Sequence, residues 1–309
     1  MNAVVDTALQ IMRERAHGSI EPGGAIAPLT SYRIGGPAAI LFEPANQDDL
    51  HALAAAVAAS GLDVLVVGRG SNMLVSDRGF PGIAIRLGAG FRWSEVDGST
   101  ITAGAAMPLP ALATAAMHAR LAGLEFAVAI PASLGGAVRM NAGAHGREMR
   151  DVITEASVFI LGEDRVRTLS AREVGFAYRH TALPSDAIVT AAGMRLEPGE
   201  SDRIVAAMNE AKDWRRATQP VNLPNGGSVF KNPSGDKAGR LVETICGKEM
   251  RVGGARISDV HANFIVAEEG ARADEVYTLM RRIQRMVRDR TGIELEPELK
   301  LMGEFQEVR

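Results

Sequence analysis

VLVVGRGSNMLVSDRGFPG, residues 64–82, is the stretch whose reading decides the fold. It starts as an apolar strand, VLVV (64–67), and runs straight into a glycine turn, GRGSN. A strand followed by G-x-G invites a dinucleotide-binding βαβ unit, in which a third glycine lets the following helix approach the pyrophosphate. Gly68 and Gly70 satisfy the first part, but Met73 stands where the third glycine belongs. Gly79, Pro81 and Gly82 then come too early for a long helix. The doubly wound fold is disfavoured. The alternative is a turn whose successive backbone N–H groups face an anion, with Ser71 and Asn72 adding donors. Taken alone, the loop reads equally well as a tight turn.

It does not stand alone. RIGGPA (33–38) and IPASLGGAVRMNAGAHG (130–146) are two further glycine-dense loops, the second carrying Gly135, Gly136, Gly143 and Gly146. Glycines permit positive φ and a close approach of backbone to a ligand. Three such loops suggest a large ligand with a diphosphate, held mainly by backbone groups. Around them the chain alternates helices and strands. Asn46 can cap a helix with Leu50, Leu53 and Val57 on one face, ended by Gly61. Short strands are expected around 83–87 and 100–104, and a helix from Pro108–Pro110 to before Gly123. From 152 the pattern changes to strand pairs: Val158 and Ile160, a Gly-Glu-Asp turn, then Val166 and Thr168. A Pro-Gly near 198 precedes a helix over about 200–216, strand-like pieces at 227–230 and 262–267, and a last helix. That helix has a clean apolar stripe of Val276, Leu279, Met280, Ile283, Met286 and Val287. The class is α+β with a boundary near 195–200.

Composition sets the limits. The 309 residues suffice for about two domains, and 46% hydrophobic with 23% charged residues is an ordinary globular balance. A net charge of −3 gives no general attraction to nucleic acid or anionic lipid. The single cysteine, Cys246, excludes an internal disulfide and a multi-thiolate zinc site. The first residues, MNAVVDTALQIMRERAHG, carry Asp6, Arg13, Glu14 and Arg15 and no unbroken apolar core, so a secretion signal is not expected. No stretch approaches the roughly 20 apolar residues of a bilayer span. A cytoplasmic protein without membrane insertion is the expectation.

Zincin, redox-thiol, α/β-hydrolase and Walker A motifs are absent, and the six histidines show no ligand-like spacing, so no metal is expected. A few polar residues remain in suggestive settings: Tyr178-Arg179, Arg215-Arg216 and the pair Glu296 and Glu298 flanking Pro297. Each reads singly as an exposed charge. NGGSVFKNP (225–233) adds Ser228, which the local sequence leaves open as nucleophile, phosphate ligand, turn residue or acid.

In order along the chain, seven stretches resemble one family, the UDP-N-acetylenolpyruvoylglucosamine reductases. They are SYRIGGPA (31–38), GRGSNMLVSD (68–77), IPASLGGAVRMNAGAHGRE (130–148), AYRHTAL (177–183), QPVNLPNGGSVFKNP (219–233), GGARISDVHANFIV (253–266) and LEPELKLMG (295–303). The resemblance spans about residues 25–303. It implies an α+β protein with a p-cresol methylhydroxylase-like FAD-binding fold of two subdomains, plus a C-terminal α+β substrate domain. The divisions drawn are an N-terminal extension at 1–24, an FAD-binding domain at 25–198 split near 90, and a substrate domain at 199–309. Few residues separate Arg179 from the next expected strand (187–193), so the chain resembles the shorter type, without an extra tyrosine-bearing loop.

The implied activity is reduction of the enolpyruvyl C=C bond of a UDP-sugar, in peptidoglycan precursor synthesis. NADPH acts as co-substrate, and non-covalent FAD passes hydride from N5 to the terminal vinyl carbon. Carried over by position, Arg179 would grip the substrate carboxylate, Ser228 would protonate the carbanion, and Glu298 would assist with a raised pKa or a bridging proton. The FAD contacts implied are Arg33 and Gly35; Gly68, Arg69, Gly70, Ser71 and Asn72; Ile130, Pro131, Ala132, Ser133, Gly135, Gly136, Asn141 and Gly143; and Val189. Tyr178, Arg215 or Arg216, Lys231 and Asn232 would bind the substrate, the latter ones at its diphosphate. No nucleic-acid or obligate protein partner is implied. An alternative is a related FAD-dependent alcohol or sugar oxidase, some of which attach FAD through a histidine, with His145 placed in a flavin loop. Another is a non-catalytic flavin-binding module, against which the joint presence of Arg179, Ser228 and Glu298 argues. Four positions depart from the family pattern: alanines at 129 and 132 for glycines, Val260 for lysine and Lys300 for arginine. The alanines would be strained if either site needs positive φ.

Overall fold

The computed structural model describes residues 3–308; residues 1, 2 and 309, parts of the terminal segments named above, lie outside the described residues. The chain divides into two compact units, each assembled from separated segments. Met1–Pro22, Ile40–Arg69 and Gly82–Trp214 form the first, and Gly23–Ala39, Gly70–Pro81 and Arg215–Arg309 the second.

In the first unit, helices α1 (Ala3–Arg15) and α2 (Asp48–Ser60) lie on a four-stranded sheet ordered Ser19–Pro22, Ala38–Glu43, Phe80–Ile85, Val64–Val66. Asn46 Oδ1 accepts from Asp49 N at 3.1 Å at the start of α2, and Gly61 closes it at φ 69°. Leu50 and Leu53 are buried with Leu9 and Met12 of α1, Ile40 and Phe42 of the sheet, and Ile83 and Ile85. The first 24 residues, taken from sequence as an extension, thus supply a core helix and an edge strand. After Val66 no helix follows; the next elements are the strands Met73–Val75 and Phe80–Ile85, as the missing third glycine required.

The second layer of this unit is a five-stranded antiparallel sheet, ordered Arg165–Ser170, Ile153–Ile160, Ala187–Arg195, Thr100–Gly104, Ser94–Asp97. Ile160 pairs with Arg165 across the Gly-Glu-Asp turn, where Asp164 takes φ 50°. The sheet buries Ile101, Val158 and Met194 against Leu112 of α3 (Leu109–His118) and Leu134 and Val138 of α4 (Leu134–Arg139). Burying each such side chain contributes roughly 1.5–3 kcal/mol. Helix α5 (Ala171–Val174) leads to the Tyr178-Arg179 turn, and α6 (Ser201–Thr218) ends the unit's last segment.

The second unit holds α7 (Ala238–Cys246), α8 (Ala273–Thr291) and a three-stranded antiparallel sheet of Arg251–Val252, Ala255–Ile257 and Ile265–Ala267. Val276, Leu279, Met280, Ile283 and Val287 of the expected stripe are buried, while Met286 sits half-buried at its edge. Met73–Val75, from the opening stretch, pairs in parallel with Lys300–Met302. Asp77 then accepts from Ala273 N and Asp274 N, each at 3.0 Å, and so caps α8 with a carboxylate. The strand expected at 227–230 does not form. That segment makes isolated bridges, Asn225 with Val266 and Phe230 with Pro297, because Gly227 at φ 77° breaks the extended run. Helix α7 has no counterpart in the sequence reading. Among the described residues no helix is long and apolar enough to cross a membrane.

Candidate active site

In the first unit the structure brings two of the glycine loops together. A Cβ on Gly68 would stand 2.5 Å from Ser133 Oγ, so the 68–69 turn and the 130–136 loop meet closely here, and a side chain at 68 would require Ser133 to turn away. Gly135 is packed the same way, its Cβ position 2.9 Å from Ala105 Cβ and 3.4 Å from Val189 O. Val189 itself is buried in the central strand, and it is its backbone oxygen that faces Gly135. Pro131 and Gly136 are exposed, and Ile130 is half-buried against the core. Five consecutive amides donate to no acceptor among the described residues, those of Gly68 and Arg69 in this unit and those of Gly70, Ser71 and Asn72 in the second. Unpaired N–H groups in a row form the concave donor set that binds phosphate oxygens. The donor set and the glycine-tight cradle fit a dinucleotide.

Three non-glycine residues of the glycine-dense loops take positive φ, Arg33 at 59°, Asn141 at 42° and His145 at 52°, and Arg179 takes 52° in its own turn. Such conformations cost about 1–3 kcal/mol each and persist where surrounding contacts fix them. Asn141 shows how. It is fully buried; its Nδ2 donates to Glu148 Oε2 (2.9 Å) and Ala177 O (3.0 Å), and its Oδ1 accepts from Arg150 N (3.0 Å). Expected as a cofactor ligand, its side chain is committed inside the protein, and its carbonyl oxygen receives Arg179 Nη1 at 3.5 Å. Arg179 Nη2 also donates to Gly143 O at 3.2 Å, and its guanidinium lies 5.2 Å from the Tyr178 ring centroid. Ala177 and His180 pair across this two-residue turn, leaving Tyr178 47% exposed at its tip. His145 and Gly146, both at positive φ, form the tip of another two-residue hairpin, and the His145 ring meets Trp214 edge-on at 5.0 Å.

The second unit holds Ser228 and Glu298 on neighbouring segments. Glu298 N donates to Val229 O at 2.8 Å, and Lys231 N to Glu296 O at 2.9 Å. Asn72, in the same unit, reaches this segment: its Nδ2 donates to Glu298 O at 3.3 Å and its carbonyl accepts from Lys300 N at 3.1 Å. Ser71 O lies 3.5 Å from the Cβ position of Gly227. The Ser228 hydroxyl is partly exposed and has no hydrogen-bond partner among the described residues. Gly35, at φ 116°, packs its Cβ position 2.6 Å from Val75 O, while Arg33 and Arg69 are exposed.

The substrate residues divide by environment. Arg215 is half-buried with Nε enclosed and unpartnered, and burial lowers the guanidinium pKa. Arg216 is exposed and has a partner of its own. Lys231 Nζ pairs with Glu296 Oε1 at 2.5 Å, and Asn232 Oδ1 accepts from Ala238 N at 3.0 Å, capping α7. Both therefore have structural partners that the sequence did not disclose. Two residues escaped the sequence reading altogether: Asp77 and Asn263, the latter 4% exposed. A polar side chain between apolar neighbours in HANFIV was the available signal.

Comparison with known proteins completes the picture. Residues 38–170 match the FAD binding domain family, and residues 219–302 match the C-terminal domain of UDP-N-acetylenolpyruvoylglucosamine reductase. A protein of that name from Methylorubrum populi is 44% identical over 290 residues, covering 93% of this chain and 92% of the relative. The chain belongs to the UDP-N-acetylenolpyruvoylglucosamine reductase family. A second reductase, from Symbiobacterium thermophilum, is 46% identical over 299 residues, covering 94% of this chain and 97% of its own. The crystal structure of the Thermus caldophilus reductase superposes with a TM-score of 0.80 at 35% identity, covering 93% of this chain and 99% of that one.

Within the reductase family this chain is of the shorter type, since residues 180–186 alone separate Arg179 from the strand Ala187–Arg195. Its alanines at 129 and 132 are unstrained, because neither takes positive φ. Ala129 ends a short 3-10 turn, and Ala132 O accepts from Leu109 N at 2.9 Å. Val260 is exposed, and Lys300 contributes its backbone to the pairing with Asn72.

Proposed function

We propose that this reductase uses NADPH to saturate the enolpyruvyl double bond of UDP-N-acetylenolpyruvoylglucosamine, giving UDP-N-acetylmuramate, in the cytoplasm. FAD, when bound, would supply the hydride-transfer chemistry between NADPH and the terminal vinyl carbon. The cradle of Gly68, Ser133 and Gly135 and the amides of residues 68–72 would hold it without a covalent link. We assign the FAD role to the region 25–198 and the UDP-sugar role to 199–309.

The remaining chemistry belongs to the side chains. Hydride addition to the CH₂ carbon leaves an electron pair on the adjacent carbon, delocalised into its carboxylate. A bidentate arginine is suited to that carboxylate in both states and gains strength as charge builds. Arg179 meets this need, its guanidinium steadied by the carbonyls of Asn141 and Gly143. Ser228 donates its hydroxyl proton to the adjacent carbon, completing CH₃–CH, and recovers a proton from solvent. The observation that carries this assignment is the Ser228 hydroxyl: it has no protein acceptor among the described residues, so its proton is available to a substrate. Glu298 assists as the neighbouring acid, with its proton bridging rather than a bare carboxylate facing the developing charge. Arg215, Lys231 and Asn232 bind the diphosphate end, anchoring the substrate away from the reacting carbon.

The test is stepwise. NADPH alone should bleach the yellow protein, and colour should return only on adding the enolpyruvyl substrate. Ser228→Ala should bleach normally and regain colour at least about 100-fold more slowly, the contribution expected of a positioned acid. Equal slowing of both steps would overturn the proton-donor assignment.

A further inference from the structure

Ser228 is held by nothing of its own. Its hydroxyl and its amide have no protein partner among the described residues, and Gly226 and Gly227 precede it. Its position therefore depends on its neighbours: Gly227, whose N–H donates to Asn225 Oδ1 at 2.9 Å, on one side, and Val229 and Phe230, each 1% exposed, on the other. One edge of that dipeptide is fixed by the 296–299 segment, where Glu298 N and Leu299 N donate to Val229 O at 2.8 and 3.3 Å. The other edge has no continuous strand. In its place one residue, Asn263, makes three hydrogen bonds. Its Oδ1 accepts from Phe230 N at 3.1 Å, its Nδ2 donates to Phe230 O at 2.8 Å, and its backbone oxygen accepts from Val229 N at 2.8 Å. The side-chain amide thus acts as a peptide group of a missing strand. Asn263 is itself fixed, since its N–H donates to His261 Nδ1 at 3.1 Å. That bond requires His261 to be neutral with the proton on Nε2. The His261 ring lies against Gly239 of α7, with Cε1 2.9 Å from where a Cβ would stand.

We propose that Asn263 is a positioning residue for the reaction, its side-chain amide clamping Phe230 so that Ser228 is presented beside the Glu298 segment. The inference rests on the reading of Ser228 as proton donor. A misplacement of about 1 Å can slow a reaction by about 100-fold. An alanine at 263 would release both backbone groups of Phe230, and the serine would lose its height relative to Glu298.

The decisive variant is Asn263→Asp, which keeps the shape and replaces the donor by an acceptor. An ionised carboxylate would face Phe230 O where a hydrogen bond now runs, whereas the protonated acid can donate to that oxygen and still accept from Phe230 N. The introduced carboxyl must therefore titrate above the ordinary aspartate range, since only its neutral form fits. Clamping is retained below that raised value and lost as pH rises through it. The titratable groups around the clamp are His261 on its amide, Lys248 and Glu243 around His261, and the Lys231–Glu296 pair next to Phe230. Wild-type protein measured over the same range carries all of their contributions.

The experiment uses the whole chain with FAD bound. Three quantities are followed from acid to alkaline pH: bleaching by NADPH, colour return with the enolpyruvyl substrate, and amide hydrogen exchange in the peptide covering residues 225–232. Asn263→Asp should bleach at the wild-type rate throughout. Its colour return and its exchange protection should match wild type at the acid end and fall together, about 100-fold in rate, as pH rises. Asn263→Ala should show both losses at every pH. If it does not fold, Asn263→Asp at the acid end still decides. The proposal is overturned if exchange rises while colour return is unchanged, if bleaching and colour return slow equally, or if the two Asn263→Asp profiles show no pH dependence beyond wild type. Should wild-type protein regain no colour with this substrate, the proposed function fails, while the exchange profile still tests the clamp.

Discussion

Arg215→Met separates what the protein gains from a guanidinium and what it gives up for it. Arg215 lies in the last turn of α6, half-buried, with Nε enclosed and no partner among the described residues. Leaving a buried donor unpaired costs about 1–3 kcal/mol. The residue is only partly enclosed and its outer nitrogens keep water, so the lower end, about 1 kcal/mol, applies. Methionine keeps much of the apolar stem and removes the donor. The protein without substrate should therefore become more stable, with a melting temperature raised by about 1–2 °C for a chain of this size. Substrate binding should move the other way. A charge-assisted bond to a diphosphate is worth about 1.5–3 kcal/mol, so KM for the UDP-sugar should rise about 10- to 150-fold. kcat should change little, because the bond is made equally in ground and transition states. UDP should raise the melting temperature of the wild type and have a much smaller effect on the variant. Arg216→Met, at the exposed neighbour, should give neither the stabilisation nor a comparable rise in KM. A lower melting temperature with unchanged KM for Arg215→Met would refute the reasoning, since the guanidinium would then be a packing element alone.

Two further outcomes follow from packing and burial around Ser228. Gly226→Ala would place a Cβ 2.5 Å from Tyr32 Cε2 and 2.6 Å from Leu299 Cδ1, both on side chains at most 2% exposed. Overpacking of this kind costs about 1–3 kcal/mol, read as a lower urea midpoint. Leu299→Ala should recover part of that loss in the double variant, and simple additivity of the two losses would contradict the clash. Burial, with Lys248 the next cause, lowers the His261 pKa, so the unfolded chain takes up a proton below about pH 6.5 that the folded one resists. The contribution is fully present above that pH and lost as pH falls. The stability difference between wild type and His261→Gln, from urea midpoints between about pH 5 and 8, should therefore shrink toward acid. A difference independent of pH would mean that His261 does not titrate with folding.

Local signals were legible because they are local. The caps of α2, the Gly-Glu-Asp hairpin and the stripe on α8 are each set by residues within a few positions of one another, and each forms where the residue pattern places it. Met73 in place of a third glycine announced the absence of a helix, and the segment became a strand. Its partner, Lys300–Met302, could not be read: parallel pairing of two three-residue strands from opposite ends of the chain leaves no local trace. The division of the chain was hidden for the same reason. A boundary near 198 is a break along the chain, whereas the second unit also recruits Gly23–Ala39 and Gly70–Pro81. Site residues show the same limit. Asn141 and Asn232 have ligand-like side chains, yet Asn141 also holds Glu148, Ala177 and Arg150, and Asn232 Oδ1 also holds the start of α7. Residue type was legible; the partner was not.

The treatment of Ser228 gives that limit a physical meaning. A hydroxyl has one hydrogen to donate, so a protein acceptor bonded to it would compete with the carbanion for that hydrogen. A serine without any anchor, however, would sample many positions and rarely the productive one. The structure resolves this conflict by fixing the neighbours and leaving the serine alone. Gly226 is wedged between Tyr32 and Leu299, Val229 is pinned by Glu298 and Asn263, and Phe230 is gripped on both polar groups by one amide. Tyr32 is locked in turn by its hydroxyl bond to Ile265 O at 3.0 Å. None of these partners lies within thirty positions of the serine except through the fold, so NGGSVFKNP can present an acid only once residues 32, 263, 298 and 299 have assembled around it.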